Sequence, residues 1–236
     1  VDATKLERHL YLAVQFFELG IPVVLTLNMM DEAKKQGLRI NSKRLASLLN
    51  CPVVETIARS GQGKQELMQQ ALDHAKKRGG AWEPLKISYG ADLDQALNIM
   101  EEKIEAANFM TNRYPARWVA LKYLEADEEI IAAGKKLGGP AQELEEIVVK
   151  TREHCQTTLN TIPEAIIADY RYGLINSILL QDVVEHEPTQ SERIDVSTKL
   201  DMVLTNRLLG PLIMFGVLYG MFHITFTVGE IPMGWL

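Results

Sequence analysis

Cysteine is scarce in this 236-residue sequence, and positive charge does not exceed negative charge. The two cysteines, Cys51 and Cys155, lie far apart and lack the spacing of metal ligands. This excludes a disulfide scaffold and a cysteine-based metal site, and it indicates reduced thiols of a cytosolic setting. The net charge of −6 argues against a nucleic-acid partner, because nucleic acids are usually bound by a basic face.

A secretory signal is also lacking, because the opening residues have neither a basic region nor an apolar core. The chain starts without Met, inside what resembles the end of a strand, so we expect a fragment of a longer protein. Its content of 47% hydrophobic residues is enough for a globular core, and its length predicts one or two domains.

One apolar run, residues 21–31, ends abruptly in Asn28 and Asp31. It is typical of a buried parallel strand that delivers polar side chains to the carboxyl edge of a sheet, where ligands bind in open α/β folds. Asn28 can hydrogen-bond a purine ring, and Asp31 can accept two N–H bonds from guanine. Adenine presents the wrong donor pattern to a carboxylate. The alternative interpretation is a strand that ends in an ordinary polar turn.

The end of a strand at residues 1–4, a helix and the strand at residues 23–27 are predicted in that order, which makes a parallel crossover. Residues 51–57 form the second predicted strand, and the glycine-bearing loop 58–63 follows it. Two successive strand ends therefore place Asn28, Asp31 and this loop at one sheet edge. Gly63-Lys64-Gln65 does not complete a phosphate loop, which needs G-x-x-x-x-G-K-[ST]. We assign neither a catalytic residue nor a metal ligand in this chain.

Beyond a predicted domain boundary at residues 78–80 the sequence becomes helical, which favours a compact all-α domain. A polar linker and an amphipathic lead-in are expected at 187–207. Residues 208–228 carry no Asp, Glu, Lys or Arg, which predicts a transmembrane helix, with a buried core helix as the alternative. Basic residues precede this run and none follows it, so the preceding part is expected on the cytoplasmic side. Five helices are predicted between the boundary and the linker: 91–107, 115–124, 127–137, 141–159 and 163 to about 184.

Several motifs together resemble those of the prokaryotic ferrous iron transporter B family (FeoB), and the resemblance runs along essentially the whole chain. The motifs are Val1-Asp2-Ala3-Thr4-Lys5-Leu6-Glu7-Arg8, Leu19-Gly20-Ile21-Pro22, Leu27-Asn28-Met29-Met30-Asp31, Ala116-Arg117-Trp118, Ile167-Ala168-Asp169-Tyr170-Arg171-Tyr172 and Leu204-Thr205-Asn206-Arg207-Leu208-Leu209-Gly210-Pro211.

The resemblance implies a domain order. Residues 1–80 would be the second half of a Ras-like GTP-binding domain with a parallel sheet. Residues 81–186 would be a helical domain similar to a nucleotide-dissociation inhibitor. After the linker, residues 208–236 would begin a multi-pass membrane region that transports Fe²⁺. The intact protein would lie in the prokaryotic cytoplasmic (inner) membrane, in contact with lipid, with residues 1–207 in the cytoplasm.

The resemblance also implies the ligands and partners. GTP or GDP would bind through Asn28, Met29 and Asp31. The next guanine loop would be Ala58, Arg59 and Ser60, where a Ser-Ala sequence is expected and Ala58 departs from it. Further expected partners are the missing half of the G domain, the pore, a small cytosolic accessory protein and a second copy of the chain.

In the family, the phosphate loop, the switch regions and the Mg²⁺-binding Thr precede the segment that matches this chain. The fragment alone is therefore expected not to hydrolyse GTP. A different class of function stays open: a membrane-tethered regulatory or scaffold protein whose degenerate G fold binds a protein partner and no nucleotide. A phosphate-loop sequence upstream of Val1 in the native gene would distinguish the two.

Overall fold

A computed structural model describes residues 1–77, 83–186, 203–205, 207 and 209–233. The chain divides into two compact units, Val1–Glu187 and Pro188–Leu236. The predicted boundary at 78–80 and most of the predicted linker at 187–207 lie outside the described residues. The first unit contains an α/β part followed by helices, as the sequence predicts.

A pair of parallel strands forms the centre of the α/β part. Strand β1 (Leu25–Leu27) pairs with β3 (Val53–Glu55), with Leu25 opposite Val53. Asp2 forms a parallel bridge to Asn28, so the first residues of the chain lie on the other side of β1. The predicted parallel crossover is therefore present, although the two strands are shorter than their apolar runs.

Helix α1 (Leu6–Glu18) lies between the residue that bridges to Asn28 and strand β1, and helix α3 (Ser42–Leu49) lies between β1 and β3. In α1, Leu6, Leu10 and Val14 recur at helical spacing and are buried, which gives the helix its inner face. The Asn41 side chain accepts the Arg44 N–H over 3.0 Å and caps α3. Between the strands lies the short helix α2 (Met30–Lys35), and α4 (Lys64–Lys77) follows β3.

A second, antiparallel pair was not predicted. Strand β2 (Leu38–Ile40) pairs with β4 (Val184–His186), and Arg39 lies opposite Glu185. The end of the helical part thus returns to the α/β part. The expectation that the last helix continues to about residue 184 is wrong, because the chain turns at Asp182, whose φ is +58°, and pairs with β2.

Five helices make up the helical part, and the bounds of the first four are within one residue of the predicted ones. Helix α5 packs against α6 and α8, and α9 packs against α1 of the α/β part. Their buried apolar side chains, among them Leu97, Met100 and Val119, form one core with those of the α/β part. The helices are α5 (Ala91–Ala106), α6 (Ala116–Leu124), α7 (Glu128–Leu137), α8 (Ala141–Leu159) and α9 (Pro163–Leu179).

In the second unit, Leu209–Met233 forms helix α10. Across the part of the chain that the structure describes, no helix combines the length and the apolarity needed to cross a membrane. The predicted transmembrane helix at 208–228 is therefore not supported.

A buried polar cluster joins α1 to the helical part. Arg171, on α9, is 1% exposed. Its Nη2 lies 2.8 Å from Glu18 Oε2, and its Nη1 donates to Glu125 Oε1 over 2.5 Å and to the Tyr11 hydroxyl over 3.2 Å. The Tyr89 hydroxyl also donates to Glu18. This cluster was not predicted, since nothing in the local sequence marks Arg171 as buried.

Both cysteines are free and buried, and Cys51 lies just before β3. Burial raises the pKa of the Cys51 thiol to about 11, whereas an unperturbed cysteine has a pKa of about 8.5. The folded state therefore holds this proton more tightly than the unfolded state. The resulting stability is fully present below a pH of about 8.5 and is lost as the pH rises through about 11.

The pKa difference between the unfolded and folded states corresponds to about 3 kcal/mol, at about 1.36 kcal/mol per pKa unit. We therefore predict that Cys51 contributes about 3 kcal/mol less to the free energy of unfolding at the alkaline end of this pH range than at its lower end. Urea unfolding of the unaltered chain and of Cys51→Ala, measured at a series of pH values, isolates this effect from other titrating groups. The difference in unfolding free energy between the two should shrink as the pH rises. A difference that does not change with pH would contradict the prediction.

Candidate functional site

A pocket of about 220 Å³ lies where the carboxyl ends of β1 and β3 meet. Five of the six side chains predicted to form a site line it, and Ser60 does not. Glu32, Lys35 and Ile57 line it as well and were not predicted. The complete lining is Asn28, Met29, Asp31, Glu32, Lys35, Ile57, Ala58 and Arg59.

Asn28 is fixed through its backbone and its side chain. Its N–H donates to the Val1 carbonyl over 2.8 Å, and its own carbonyl accepts from Ala3 N–H over 2.9 Å. Its side-chain Oδ1 accepts the Ala58 N–H over 2.9 Å and lies 3.4 Å from the Thr56 hydroxyl. The amide oxygen thus joins the two strand-end loops, and the Nδ2 group is the donor end of the side chain.

Met29 has left-handed backbone angles, φ 65° and ψ 34°. This region is uncommon for residues other than glycine, and such strain concentrates at functional sites. The turn at Met29 allows α2 to begin at Met30, which places Asp31 in the first helical turn. The Met29 side chain is 42% exposed, so it offers an apolar surface at the pocket.

The Asp31 carboxylate lies at the pocket with its side chain 33% exposed. Asp31 lies in the first turn of α2, at the end of the helix that carries partial positive charge. The Arg59 Nη2 atom lies 3.9 Å from Asp31 Oδ2. One turn further along α2, Lys35 pairs with Glu32 over 3.2 Å.

The loop after β3 is a tight turn. The Ser60 N–H and the Ser60 hydroxyl both donate to the Ile57 carbonyl, over 3.0 and 3.1 Å. The Ser60 side chain is therefore used within the loop. Gly63 closes the turn with a φ of +81°, and a Cβ atom there would lie 2.3 Å from the Glu55 carbonyl oxygen, so only glycine fits.

This arrangement offers a planar ligand a carboxylate, an amide, an apolar side chain and a backbone turn. Thr56 and Ile57 were missed because the predicted strand extended to residue 57, whereas β3 ends two residues earlier, at Glu55. Lys35 follows Asp31 by four residues, and that helical spacing was a signal that could have placed it at the pocket. Among the described residues there is no group of three or more His, Cys, Asp or Glu positioned to hold a metal.

Two family models match the chain. The model for ferrous iron transport protein B matches residues 1–71, and the model for the FeoB cytosolic helical domain matches residues 89–185. Together they cover both parts of the first structural unit.

Curated proteins and solved structures of the same kind are similar to the chain. The Fe(2+) transporter FeoB of Escherichia coli is 34% identical over 97% of the chain and 27% of its own length. A fusion of Fe(2+) transport protein A with Fe(2+) transporter FeoB from Porphyromonas gingivalis is 32% identical over the whole chain and 28% of its own length. The crystal structure of NFeoB from S. thermophilus, bound to GDP·AlF4⁻ and K⁺, matches with a TM-score of 0.62 at 30% identity, over 77% of this chain and 67% of that one. The chain thus spans little more than a quarter of the length of these curated relatives.

Proposed function

The chain belongs to the ferrous iron transport protein B family, and on that basis we propose that it forms the guanine-recognition and helical parts of a GTP-dependent Fe²⁺ transporter. The single observation that carries this proposal is the pocket at the ends of β1 and β3. There, Asn28 and Asp31 lie beside the Ala58 loop.

Guanine matches the proposed site group by group. The Asp31 carboxylate would accept the two parallel N–H groups of the guanine edge. The Asn28 amide nitrogen would donate to the purine ring, and Met29 would contact the flat face of the base through its apolar side chain. The backbone N–H of Arg59 would donate to the guanine oxygen, because the neighbouring Ala58 N–H is already bonded to Asn28 Oδ1. Ser60 would support this loop, because its hydroxyl is bonded to Ile57.

We propose that the intact protein hydrolyses GTP. The S. thermophilus relative is bound to GDP·AlF4⁻, which supports nucleotide phosphates as ligands of this family. The residues of this chain do not fit a Mg²⁺ ion at the pocket, because Glu32 is paired with Lys35 and no metal-holding cluster is present among the described residues. We assign no step of the chemistry to that ion here, and inactivity of this fragment alone stays a prediction.

The remaining assignments follow from family membership. We propose the division into residues 1–80, 81–186 and 187–207, with these residues on the cytoplasmic side of the prokaryotic inner membrane and Fe²⁺ as the transported substrate. The P. gingivalis relative joins transport protein A to FeoB in one chain, which supports a small accessory protein as a partner. Assembly of several copies stays a prediction.

Competition binding tests the proposal in the native protein that contains this chain. A fluorescent GDP analogue is displaced with GDP, ADP or XDP. We expect GDP to compete at least about 100-fold better than ADP, because each charge-assisted hydrogen bond to Asp31 contributes about 1.5–3 kcal/mol. Reconstituted vesicles should then take up Fe²⁺ only when GTP is supplied. Equal competition by ADP would contradict guanine recognition at this pocket, and no nucleotide binding at all would instead support the scaffold interpretation.

A further inference from the structure

The proposed base pocket contains a charged group that resembles its ligand. Arg59 follows the strand end of β3, and its guanidinium approaches the Asp31 carboxylate to 3.9 Å from across the pocket. The Arg59 side chain is 89% exposed, whereas that of Asp31 is 33% exposed. The contact is therefore formed at the mouth of the pocket, at the position from which a base would reach Asp31.

Arginine and guanine present the same donor pattern to a carboxylate. A guanidinium group is planar and offers parallel N–H donors that match two carboxylate oxygens. The N–H groups of the guanine edge are part of a guanidine-like fragment of the ring. One carboxylate cannot serve both partners fully, so Arg59 and guanine compete for Asp31.

Lys35, the other cation of the pocket, does not compete with guanine for Asp31. Lys35 Nζ lies 3.2 Å from Glu32 Oε2 and is thereby engaged on the same helix as Asp31. Arg59, in contrast, comes from the opposite loop, and the hydrogen bonds of Ser60 to Ile57 hold the turn that carries it. The loop thus fixes the backbone position of Arg59, and the long Arg59 side chain reaches across the pocket to Asp31.

We propose that Arg59 is an internal competitor for guanine: it pairs with Asp31 when no base is bound, and an entering base must displace it. This inference rests on the proposed function and adds a residue that lowers guanine affinity. The pair is exposed and weak, so displacement is easy. The Arg59–Asp31 pair makes guanine nucleotide binding weaker than it would be in the same pocket without the Arg59 guanidinium.

Arg59→Met in the native protein tests this inference, because methionine keeps an apolar stem and removes the donors. At low salt we expect the variant to bind GDP about two- to five-fold more tightly, the range that an exposed ion pair supports. This sign is diagnostic, since removing a positive charge normally weakens the binding of an anionic nucleotide. The difference from the unaltered protein should shrink as NaCl is raised, because salt screens exposed pairs.

Lys35→Met is the matched control. It removes a positive charge from the same pocket without freeing Asp31, so it should not tighten GDP binding. Tightening by both variants, or weaker or unchanged binding by Arg59→Met, would overturn the inference. In an Asp31→Asn background the tightening by Arg59→Met should disappear for XDP, and its persistence there would also overturn the inference.

These outcomes separate the inference from the proposed function. If the unaltered protein prefers GDP to ADP and Arg59→Met is not tighter, the inference alone fails. If neither protein binds guanine nucleotides, the proposed function fails, and the inference fails with it.

Discussion

Replacing Arg171 with methionine is expected to lower the free energy of unfolding by about 3–5 kcal/mol, the cost of leaving a buried charge without its partner. Arg171 is 1% exposed and contacts Glu18, Glu125 and Tyr11. Its removal would leave the Glu18 carboxylate buried beside Tyr89 with no cation. Methionine fills part of the volume but supplies no compensating donor.

Urea unfolding followed by circular dichroism measures this loss, and Arg152→Met is the matched control. Arg152 makes an ion pair with Glu164 in the same helical part, but both side chains are about 30% exposed. Its replacement should cost only about 0–1 kcal/mol. The double variant Glu18→Gln/Arg171→Met should recover part of the stability, because the orphaned charge is gone. Similar losses for Arg171→Met and Arg152→Met would show that the buried cluster contributes no more to the free energy of unfolding than an exposed ion pair.

The cluster also bears on how the two parts of the first unit are held together. Glu18 and Tyr11 lie on α1, which follows the residues that bridge to Asn28, whereas Arg171 lies on α9. The strand pair β2–β4 makes a second connection between these parts. Loss of Arg171 should therefore weaken the contact between the helical part and the α/β part.

Much of the fold follows from local patterns in the sequence. Helices α4 and α8 begin and end at the predicted residues, because apolar residues recur at helical spacing and Gly or Pro residues flank them. The pairing of β2 with β4 could not be predicted in this way. It joins Arg39 to Glu185, which are far apart in sequence, and three-residue strands are too short to show a period of two.

The candidate site was foreseen to a similar degree. Parallel strands end at one edge, so Asn28, Asp31 and the loop at Ala58 were expected together, and the structure brings them to one pocket. The direction of each side chain depends on the turn that carries it, which the sequence does not reveal. For that reason the inward bond of Ser60 and the approach of Arg59 to Asp31 emerge only from the structure.

Asp31→Asn is expected to reverse the base preference of the native protein. The carboxylate accepts both N–H groups of the guanine edge, whereas an amide can accept one and must direct its own N–H toward the other. GDP binding should weaken by about 100-fold, the cost of losing a charge-assisted pair and facing two donors. Xanthine carries an oxygen where guanine carries its amino group, so the amide N–H finds an acceptor and XDP should bind better than GDP.

The most direct test of the account is the ratio of GDP to XDP affinity, measured by competition in the native protein and in Asp31→Asn. Asn28 and the loop at Ala58 are unchanged in the variant, so the contacts to the rest of the base serve as an internal reference. We expect the unaltered protein to prefer GDP by about 100-fold and the variant to prefer XDP. A variant that keeps both its GDP affinity and its preference for GDP would contradict the assignment of Asp31 as the residue that recognises guanine.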